Sequence, residues 1–579
     1  MVNITIDGQK MSVKPNITIL QAAREHGIDI PTLCFLKEIN EIGACRICVV
    51  EVEGNENLLA ACNTKVAEGM VIYTSSPRVR NARRVNLRLI LSQHDTNCTH
   101  CPRSGNCKLQ KLANDYNFLN EHYQTELTGR KPEFSAPFAK LEDRCVKCLR
   151  CVQICSQMQT VDIWDLIGTG SHTRVGLAGD DSLDKSLCTY CGQCITHCPV
   201  GALQEHDDTG SIFDALADPD TVVVAQIAPA VRTAWAEYFG YSAKDVSVKH
   251  LVTALKKIGF DYVFDTDFGA DLTIMEEATE FVERFTHKNK YKWPMLTSCC
   301  PGWVRFCKGQ FPEFIDNMST GKSPQQMFGA IIKTYFAKEK KIDPKKIFTV
   351  SIMPCVAKKD ERNRPGMNVA TGLAQDIDSV ITTRELVRML RGENINIKSL
   401  EPTPFDSLVG SGTGAGVVFG ASGGVAVAAL RTAYYLITGK NPDADAFKSI
   451  AGKGHLKTAE FNVPGAGEIK VAVVSGLGNT RALLEAVKRG DVSYDFIEVM
   501  ACPGGCAGGG GQPIHDGEEL ANIRGDILWN IDKKCSIRFS HENPEIIALY
   551  DKCLGKPMSK KSQKLLHVDH HSWKMPNGK

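Results

Sequence analysis

The sequence predicts a multidomain protein in which small α+β modules precede a large α/β domain. Three observations support this fold class. The chain has 579 residues, several times the length at which a single hydrophobic core stops growing. Clustered cysteines fill the part before Thr209, which is typical of small metal-binding modules. Beyond Thr209, short apolar runs bounded by turn residues alternate with helical segments, as in a sheet of buried parallel strands.

Composition and charge exclude several classes of protein. Hydrophobic residues make up 43% of the chain and charged residues 23%, which indicates an ordinary folded protein. A formal net charge of +2 is too small for a dedicated nucleic-acid binder. No apolar stretch approaches the ~20 residues needed to cross a bilayer, and Met1–Gly8 does not resemble a secretory signal. We therefore expect a cytoplasmic chain, without nucleic-acid or membrane partners, whose 23 cysteines serve metal binding or catalysis.

The first module, residues 1–80, is predicted to be a β-grasp ferredoxin domain. Val2–Ile6 alternates polar and apolar residues, Asp7-Gly8 supplies a hairpin turn, and a helical pattern follows that ends at Gly27. The cysteines of this module are spaced C-x10-C-x2-C-x13-C and are Cys34, Cys45, Cys48 and Cys62. Two ligands on one tight loop, with one on either side, suit a 2Fe-2S cluster. A zinc site is the alternative.

The second module, residues 81–125, carries a histidine in front of three cysteines. The spacing H-x3-C-x2-C-x5-C is formed by His94, Cys98, Cys101 and Cys107. Alone, this set also fits a zinc site, and His94 could be a surface histidine. Its place between two other cysteine modules favours a 4Fe-4S cluster with one imidazole ligand. Residues 115–140, which are rich in proline, glycine and polar residues, are predicted to form a linker.

The third module, residues 126–208, is predicted to be a bacterial-type ferredoxin domain with two 4Fe-4S clusters. The motif C-x2-C-x2-C-x3-C occurs twice. In this pattern the fourth cysteine of each run ligates the cluster of the other run. The predicted ligand sets are therefore Cys145, Cys148, Cys151 and Cys198 for one cluster, and Cys188, Cys191, Cys194 and Cys155 for the other. Cys198 is followed by proline, as the pattern expects, whereas Cys155 is followed by Ser156.

The fourth module, residues 209–579, is predicted to be an α/β domain. Its predicted strands include Thr221–Ala225, Lys346–Val350, Val471–Val474 and Phe496–Val499. Cys300, Cys355 and Cys502 each follow an apolar segment, and Cys506 comes shortly afterwards at the start of a glycine run. Ligands gather beyond the carboxyl ends of the strands in open α/β sheets, so these distant cysteines can converge there.

Three segments of this domain resemble the active-site signatures of the iron-only (FeFe) hydrogenases. They are Thr297-Ser298-Cys299-Cys300-Pro301-Gly302-Trp303, Met353-Pro354-Cys355-Val356-Ala357-Lys358-Lys359 and Glu498-Val499-Met500-Ala501-Cys502-Pro503-Gly504-Gly505-Cys506. The resemblance covers nearly the whole chain, because the accessory cluster motifs occur in the order of that family's large monomeric members. The N-terminal half alone also resembles a subunit of respiratory complex I, and the three C-terminal signatures separate the two.

The resemblance implies an H-cluster in the C-terminal domain, which is a 4Fe-4S cubane joined to a two-iron subsite with CO, CN and dithiolate ligands. The cubane ligands implied here are Cys300, Cys355, Cys502 and Cys506, and the last of them also bridges to the two-iron subsite. Lys358 and Gln325 match donors of that family, and Pro229, Met353, Pro354, Phe419 and Met500 match its pocket walls. Ala230 stands where well-studied relatives have serine, so one hydroxyl donor is missing.

The resemblance also implies a proton route. Cys299 matches the family's proton-donating cysteine, and a thiol with a reference pKa of ~8.5 can deliver protons near neutral pH. The implied route continues through Glu277, Ser319 and Glu280 toward Arg284. Glu277, Glu280 and Arg284 also stand at helical spacings of three and four, which ordinary surface salt bridges produce too.

The leading prediction is an enzyme that interconverts molecular hydrogen with protons and electrons. One 2Fe-2S and three accessory 4Fe-4S clusters would relay the electrons to the H-cluster. The alternative is a non-turnover hydrogen sensor or iron-sulfur scaffold on the same fold. Such relatives lack the proton-donating cysteine, whereas Cys299 is present here. A third interpretation, the electron-entry subunit of a complex I-like dehydrogenase, is disfavoured by the three C-terminal signatures.

The electron partner is predicted to be a separate protein. No strict G-x-G-x-x-G motif occurs: Gly410-x-Gly412 has no acidic residue at the expected distance, and Gly476-x-Gly478 has Arg481 in place of the third glycine. We therefore expect electrons from ferredoxin or from a flavin- and NAD(P)-binding subunit. In the second case the chain would be the catalytic subunit of an NAD(P)-linked electron-bifurcating complex.

Two features of the C-terminal half receive no functional role. Three further cysteines, Cys307, Cys535 and Cys553, are expected to act as small hydrophobic residues. The histidine-rich tail, His567-Val568-Asp569-His570-His571, is expected to be a solvated terminus, with a metal site as the alternative.

Overall fold

A computed structural model describes residues 1–118, 127, 129, 132, 134–180, 182–372, 374–516 and 518–578. The boundary predicted between residues 125 and 126, with part of the predicted linker, lies outside the described residues. One compact unit comprises Met1–Met158, Asp162–Leu183 and His197–Gln204, and the other comprises Gln159–Val161, Asp184–Thr196 and Glu205–Lys579. The division of the chain into four modules stays a prediction.

Within the described residues, the first unit contains short strands and four α-helices. Its strands are β1 (Val2–Ile6), β2 (Gln9–Val13), β3 (Val49–Val52), β4 (Leu59–Ala60), β5 (Val71–Tyr73), β6 (Phe138–Lys140), β7 (Trp164–Ile167), β8 (Arg174–Leu177) and β9 (Leu203–Glu205). Its α-helices are α1 (Ile19–Glu25), α2 (Pro77–Leu91), α3 (Lys108–Asp115) and α4 (Arg150–Gln153).

A five-stranded sheet in the order β2-β1-β5-β3-β4 forms the N-terminal part of this unit. The predicted hairpin is present, since β1 and β2 pair antiparallel and Asp7 and Gly8 both have positive φ in the turn. Helix α1 begins at a capping box between Thr18 and Gln21 and ends before Gly27, which also has positive φ. Of the two smaller sheets, β6-β9 flanks the two cysteine runs in the sequence, and β7-β8 lies between them.

The second unit contains two four-stranded sheets and most of the helices. Its strands are β10 (Val222–Ile227), β11 (Tyr262–Asp265), β12 (Met295–Leu296), β13 (Ile347–Met353), β14 (Ser379–Thr382), β15 (Leu456–Val463), β16 (Gly467–Ser475) and β17 (Phe496–Met500). Its α-helices are α5 (Gln193–Thr196), α6 (Thr209–Ala217), α7 (Val248–Ile258), α8 (Thr266–Thr286), α9 (Pro301–Gln310), α10 (Pro324–Ile331), α11 (Ala337–Lys340), α12 (Ala357–Glu361), α13 (Thr383–Gly392), α14 (Gly414–Val417), α15 (Gly424–Thr438), α16 (Leu477–Arg489), α17 (Ala521–Asp532), α18 (Pro544–Leu549) and α19 (Lys560–Leu566).

Parallel pairing dominates both sheets of the second unit, as the apolar runs predict. The first sheet has the order β11-β10-β13-β14, and all of its neighbours are parallel. The second has the order β12-β17-β16-β15, in which only β15 is antiparallel to its neighbour. The sequence analysis missed β15, an edge strand whose residues are mostly exposed or half-buried and which therefore lacks a continuous apolar run.

Helix α8 is the central helix of this unit and packs against α10, α14 and α15. Asp265 caps its first turn by accepting a hydrogen bond from the Asp267 amide. The buried Arg232 guanidinium pairs with both carboxylates, at 2.7 Å to Asp265 and 2.8 Å to Asp267. Although α8 has 21 residues, no helix in the described ranges is long and apolar enough to cross a membrane.

Candidate active site

A cavity of about 80 Å³ lies in the second unit, beyond the carboxyl ends of β10, β12, β13 and β17. In open α/β sheets, ligands bind beyond the carboxyl ends of the strands. The cavity lies where the sequence predicts that the cysteines converge. Of the predicted site residues, the cavity is lined by Cys299, Cys300, Cys355, Cys502, Cys506, Lys358, Gln325, Pro229, Ala230, Met353, Pro354, Phe419 and Met500. The three signature segments therefore meet at one place.

The four cysteines proposed as cubane ligands share this cavity, although they come from distant parts of the chain. Cys300 is the N-terminal cap residue of α9, and Pro301 occupies the first turn. A helix N terminus carries partial positive charge, which favours a bound anionic group. The amide of Ala501 donates to Cys300 Sγ at 3.5 Å. Four convergent thiols beside a helix N terminus are a donor set that fits an iron-sulfur cluster.

The glycine run after Cys506 allows this convergence, because the chain passes too close to other backbone for any side chain. A Cβ on Gly509 would lie 2.2 Å from the carbonyl oxygen of Pro354, and one on Gly511 would lie 2.9 Å from the Cys355 amide nitrogen. A Cβ on Gly510 would lie 2.3 Å from the carbonyl oxygen of Cys191. Only glycine permits such approaches, which explains the composition of this segment.

Lys358 and Gln325 are held toward the cavity by a carboxylate that the sequence analysis missed. Lys358 Nζ donates to Glu361 Oε2 at 2.9 Å and to the carbonyl oxygen of Cys299 at 3.1 Å. Gln325 Nε2 also donates to Glu361, at 3.3 Å, while Gln325 Oε1 has no hydrogen-bond partner within the described ranges. The spacing of three residues between Lys358 and Glu361, which places them on one face of a helix, was the available signal.

The polar residues of the predicted proton route beyond Cys299 form one buried group, with three members on α8 and Ser319 packed against them. Glu280 is its centre, because its carboxylate accepts hydrogen bonds from Ser319 Oγ at 2.9 Å and from Arg284 Nη2 at 2.6 Å. Arg284 also donates to the carbonyl oxygen of Met318 at 3.0 Å. Glu277, Glu280, Arg284 and Ser319 are at most 5% exposed. They are therefore not the surface salt bridges that the same helical spacing can produce.

Glu277 and Cys299 are both buried in surroundings that favour their neutral forms. Burial, with the charge of Glu280 added, raises the pKa of Glu277 to about 8. Burial also raises the pKa of the Cys299 thiol well above its ordinary value, and the charge of Glu277 adds to this shift. Both groups hold a proton at neutral pH, which suits groups that deliver protons.

The buried group extends from the cavity toward the protein surface. The hydroxyl of Ser319 donates to Glu280 at 2.9 Å, and it also lies close enough to Glu277 to lower the pKa of that carboxyl group. Glu277 Oε2 has no hydrogen-bond partner among the residues described. At the other end, the Arg284 guanidinium lies 5.5 Å from the ring centroid of Tyr291, whose side chain is exposed.

Comparison with known proteins agrees with the signatures. The family model described as "Iron only hydrogenase large subunit, C-terminal domain" matches residues 221–510. The chain is 46% identical over 581 residues to the NADP-reducing hydrogenase subunit HndD of Solidesulfovibrio fructosivorans, with 98% of this chain and 99% of the relative covered. The chain belongs to the iron-only hydrogenases. It is an enzyme that interconverts molecular hydrogen with protons and electrons, as predicted, and the sensor or scaffold alternative has less support.

Further comparisons extend this relationship along the hydrogenase chain. Iron hydrogenase 1 of Clostridium pasteurianum is 38% identical over 579 residues, with 98% of this chain and all of the relative covered. The solved structure of apo [FeFe]-hydrogenase HydA1 from Chlamydomonas reinhardtii matches with a TM-score of 0.57 and 38% identity, over 64% of this chain and 99% of that one.

Other family models identify iron-sulfur domains and a C-terminal segment of the hydrogenase. A 2Fe-2S iron-sulfur cluster binding domain matches residues 1–77. The NADH-ubiquinone oxidoreductase-G iron-sulfur binding region matches residues 83–122, and the ferredoxin-like domain of NADH-quinone oxidoreductase subunit 3 matches residues 137–204. The iron hydrogenase small subunit matches residues 518–573. The hydrogenase therefore combines N-terminal iron-sulfur domains with a C-terminal H-cluster domain, and the zinc alternatives lose their support.

The cysteines of the N-terminal 2Fe-2S domain lie together in two pairs. The thiol of Cys34 hydrogen-bonds with that of Cys45, and the thiol of Cys48 with that of Cys62. Cys34, Cys48 and Cys62 are at most 1% exposed. A 2Fe-2S cluster takes four thiolates, two on each iron, so this paired arrangement fits it.

The His94 group of the hydrogenase also has features of a cluster site. The His94 imidazole hydrogen-bonds with the backbone of Arg144, whereas its Nδ1 has no partner in the part of the chain that is described. A histidine held by a carbonyl group, with its other nitrogen free, is arranged as metal ligands usually are. The charge of Cys101 acts on Cys98 and on Cys107, so these thiols are neighbours. A Cβ on Gly201 would lie 2.5 Å from Cys101 Sγ, so glycine is required there.

The two ferredoxin-type cysteine runs are divided between the units. In the first unit, the charge of Cys198 acts on Cys145, Cys148 and Cys151, so the first predicted set is brought together across the repeat. The buried Arg150 supports this region by donating to the carbonyl oxygen of Cys34 at 3.1 Å. Cys155 also belongs to the first unit, and Cys188, Cys191 and Cys194 belong to the second. In the second unit, Cys502 Sγ lies 3.8 Å from the carbonyl oxygen of Cys191.

The strand-turn-helix at Gly476 does not offer a free dinucleotide site. Gly476 joins β16 to α16 with positive φ, which is the arrangement of a phosphate-binding turn. The Gln159 side chain, however, accepts a hydrogen bond from the Leu477 amide at 2.9 Å. Arg481 donates to the backbone of Thr160 at 2.8 Å and does not face a ligand. The first turn of the helix is thus used by the hydrogenase itself.

The remaining cysteines and the histidine tail also have definite places. Cys307 is fully buried, as expected, whereas Cys535 and Cys553 are only partly buried. The expectation of a solvated tail is wrong for two of its three histidines, because His570 is 8% exposed and the His567 side chain 7%. Burial is possible because each of them finds a polar partner in the second unit.

Proposed function

We propose that Cys300, Cys355, Cys502 and Cys506 hold the cubane of the H-cluster, with Cys506 also reaching the two-iron subsite. The proposal is carried by one observation, the convergence of four thiols from three signature segments on a single cavity. When bound, the H-cluster supplies the iron at which hydrogen is formed or split. The surrounding side chains then determine which protons and electrons reach it.

In this proposal the cavity walls exclude water and present a few donors. Pro229, Met353, Phe419 and Met500 are apolar, so they keep the site dry and strengthen the remaining polar contacts. Lys358, oriented by Glu361, provides a positive charge at the wall, and Gln325 provides an amide. Ala230 contributes no hydroxyl, so the donors near the two-iron subsite are fewer than in relatives with serine at that position.

Protons reach the cavity through Cys299, Glu277, Ser319, Glu280 and Arg284 in this proposal. The order follows from the contacts: Arg284 and Ser319 both donate hydrogen bonds to Glu280, and Ser319 is close enough to Glu277 to lower the pKa of its carboxyl group. The raised pKa of Glu277, about 8, keeps a proton available beside Cys299 at neutral pH. A serine hydroxyl can accept and donate at once, so Ser319 can pass a proton between the two carboxyl groups.

Electrons arrive in this proposal through one 2Fe-2S and three accessory 4Fe-4S clusters in the first three modules, residues 1–80, 81–125 and 126–208. They reach the H-cluster in the fourth module, residues 209–579. The ranges of the matching family models support these modules. Cys188, Cys191, Cys194 and Cys155 form the proposed ligand set of one accessory 4Fe-4S cluster. Within the second unit, Cys502 Sγ lies 3.8 Å from the carbonyl oxygen of Cys191, which supports electron transfer from this cluster to the H-cluster.

The electron partner in this proposal is a separate flavin- and NAD(P)-binding subunit, and the complex is cytoplasmic. The NADP-reducing hydrogenase subunit at 46% identity supports this partner. Use of the α16 N terminus by Gln159 is consistent with a nucleotide site on another chain. Reduced ferredoxin is the second candidate donor, because the accessory iron-sulfur domains could accept electrons from it directly.

The test uses the natively purified chain, alone and with co-purifying subunits. We expect the single chain to evolve hydrogen with reduced ferredoxin or an artificial donor but not with NAD(P)H. Addition of the partner subunits should make NAD(P)H effective. Direct NAD(P)H turnover by the single chain would contradict the proposed partner, because it requires a nucleotide site on this chain.

A further inference from the structure

The three histidines of the tail lie close in sequence but contact different partners. His567 Nδ1 is 2.8 Å from the Thr320 hydroxyl, and its Nε2 is 3.0 Å from Glu276 Oε2. His570 Nε2 is 2.8 Å from the carbonyl oxygen of Ser319. His571 faces Asp316 on the surface, with 62% of its side chain exposed. The histidines therefore do not form one metal site, and two of them contact the segment that contains Ser319.

The backbone of the tail is paired with the same segment. The Lys322 amide donates to the carbonyl oxygen of Leu566 at 2.8 Å, and the Val568 amide donates to that of Thr320 at 2.8 Å. Gly321 and His567 form an antiparallel bridge. Residues 566–568 thus form a short antiparallel pairing with residues 320–322, directly after Ser319.

Buried polar groups anchor the tail from its other side. Glu276 on α8 accepts hydrogen bonds from Tyr550 at 2.5 Å and from the Met558 amide at 2.8 Å, in addition to His567. Lys308 donates to the carbonyl oxygen of His570. Glu276 is fully buried, so loss of one of these donors would leave part of a carboxylate unsatisfied. The tail is consequently fixed in position rather than loosely laid on the surface.

These contacts determine where the Ser319 hydroxyl points. The Ser319 amide donates to the carbonyl oxygen of Leu296 at 2.7 Å, and its carbonyl oxygen accepts from His570. The peptide groups on both sides of the side chain are therefore held. Ser319 Oγ then donates to Glu280 at 2.9 Å and accepts from the Gly321 amide at 3.2 Å. A hydroxyl that relays protons must keep this geometry within a few tenths of an ångström.

We propose that His570 is a positioning residue of the proton route, which holds Ser319 between Glu277 and Glu280. His570 does not touch the cavity and carries no proton of the reaction. It fixes the Ser319 peptide, and the pairing of residues 566–568 with 320–322 gives this contact a rigid base. The inference rests on the proposed proton route and adds a second requirement, an ordered tail.

The test compares three variants of the holoenzyme. His570→Leu removes the donor to Ser319, His570→Gln retains an N–H group of similar reach, and His571→Gln is the matched control on the exposed neighbour. Because a misplacement of about 1 Å can cost roughly 100-fold, we expect His570→Leu to lower hydrogen evolution by about 10-fold to 100-fold. His570→Gln should recover most of the activity, and His571→Gln should match the unmodified enzyme.

A second readout does not depend on turnover. The protonated carboxyl band of Glu277 can be titrated by infrared spectroscopy, with Glu277→Gln identifying the band. Displacement of the Ser319 hydroxyl should raise the titration midpoint of Glu277 in His570→Leu by about half to one pH unit, because this hydroxyl lowers the pKa of Glu277. Iron content and melting temperature of the three variants show whether a loss of activity is only a loss of folding.

The outcomes separate this inference from the proton route itself. If Glu277→Gln lowers turnover but His570→Leu does not, the route stands and the positioning role of His570 is refuted. If Glu277→Gln has no effect, the proposed route fails. Equal activities of His570→Leu and His570→Gln, or an unshifted carboxyl band in His570→Leu, would also overturn the inference.

Discussion

Replacing Glu277 by glutamine removes one ionisable group from the proposed proton route while keeping its size and most of its hydrogen bonding. The carboxyl is 1% exposed, and burial together with Glu280 raises its pKa to about 8. Glu277 is therefore protonated below pH 8 and ionised above it. Only the protonated form can pass a proton to Cys299, so its contribution to hydrogen evolution is present below the pKa and lost above it.

The size of the effect follows from these values. At pH 7 the ratio of protonated to ionised Glu277 is about ten to one, and at pH 9 it is about one to ten. A positioned acid or base typically contributes ~10²- to 10⁴-fold to a rate. We expect Glu277→Gln to lower hydrogen evolution by that factor near pH 7. The rate of the unmodified enzyme divided by that of Glu277→Gln should then fall by about 10-fold per pH unit above pH 8. The reason is that Glu277 of the unmodified enzyme loses its proton in this range.

The assay is hydrogen evolution from an artificial electron donor between pH 6 and 9.5, with equal iron content in both proteins. Glu283→Gln is a suitable control, since Glu283 lies on the same helix but is exposed. That variant should retain the profile of the unmodified enzyme. A Glu277→Gln enzyme with a nearly normal rate and an unchanged break near pH 8 would refute both the route and the pKa argument.

Three other outcomes are expected. Cys299→Ala should leave iron content nearly unchanged but lower turnover by ~10²- to 10⁴-fold, and near-normal turnover would remove Cys299 from the mechanism. Metal analysis of the complete enzyme should give ~20 iron atoms, from one 2Fe-2S cluster, three accessory 4Fe-4S clusters and a six-iron H-cluster, whereas stoichiometric zinc would contradict the cluster assignments. Gly201→Ala should reduce the electron paramagnetic resonance signal of the His94 cluster, because the added Cβ would lie 2.5 Å from Cys101 Sγ. The other cluster signals serve as the internal control, and an unchanged His94 signal would argue against a cluster at Cys101.

Much of the fold and the site could be predicted from local sequence patterns. The apolar runs at Thr221–Ala225 and Lys346–Val350 correspond to β10 and β13, which are buried central strands of their sheet. A motif with two candidate ligands in one loop, such as Cys45 and Cys48, predicts by its spacing alone that the two thiols lie close together. The signature segments predicted the cavity because each of them contains or directly follows the carboxyl end of a strand, where ligands bind in open α/β sheets.

Features that depend on distant partners were not predictable in this way. The histidine tail has the composition of a solvated terminus, and nothing near it in the sequence reveals that Glu276, 291 residues away from His567, provides a buried partner. Likewise, β15 contains charged residues and no continuous apolar run, so its sequence does not indicate a strand. It is an edge strand that pairs with the more apolar β16. Local patterns report propensity, whereas burial of a polar residue is decided by what the rest of the chain brings to it.

The pairing of the tail with the Ser319 segment has a consequence for biosynthesis. Ser319 and His570 are 251 residues apart in the sequence. At ribosomal rates of ~5–20 residues per second, Ser319 is made roughly 10 to 50 s before its partner. The sheets of the domain can assemble in that interval, but the Ser319 segment lacks its neighbour until residues 566–570 have been made. We therefore expect nascent chains stalled before Leu566 to be nearly folded and yet unable to order this segment.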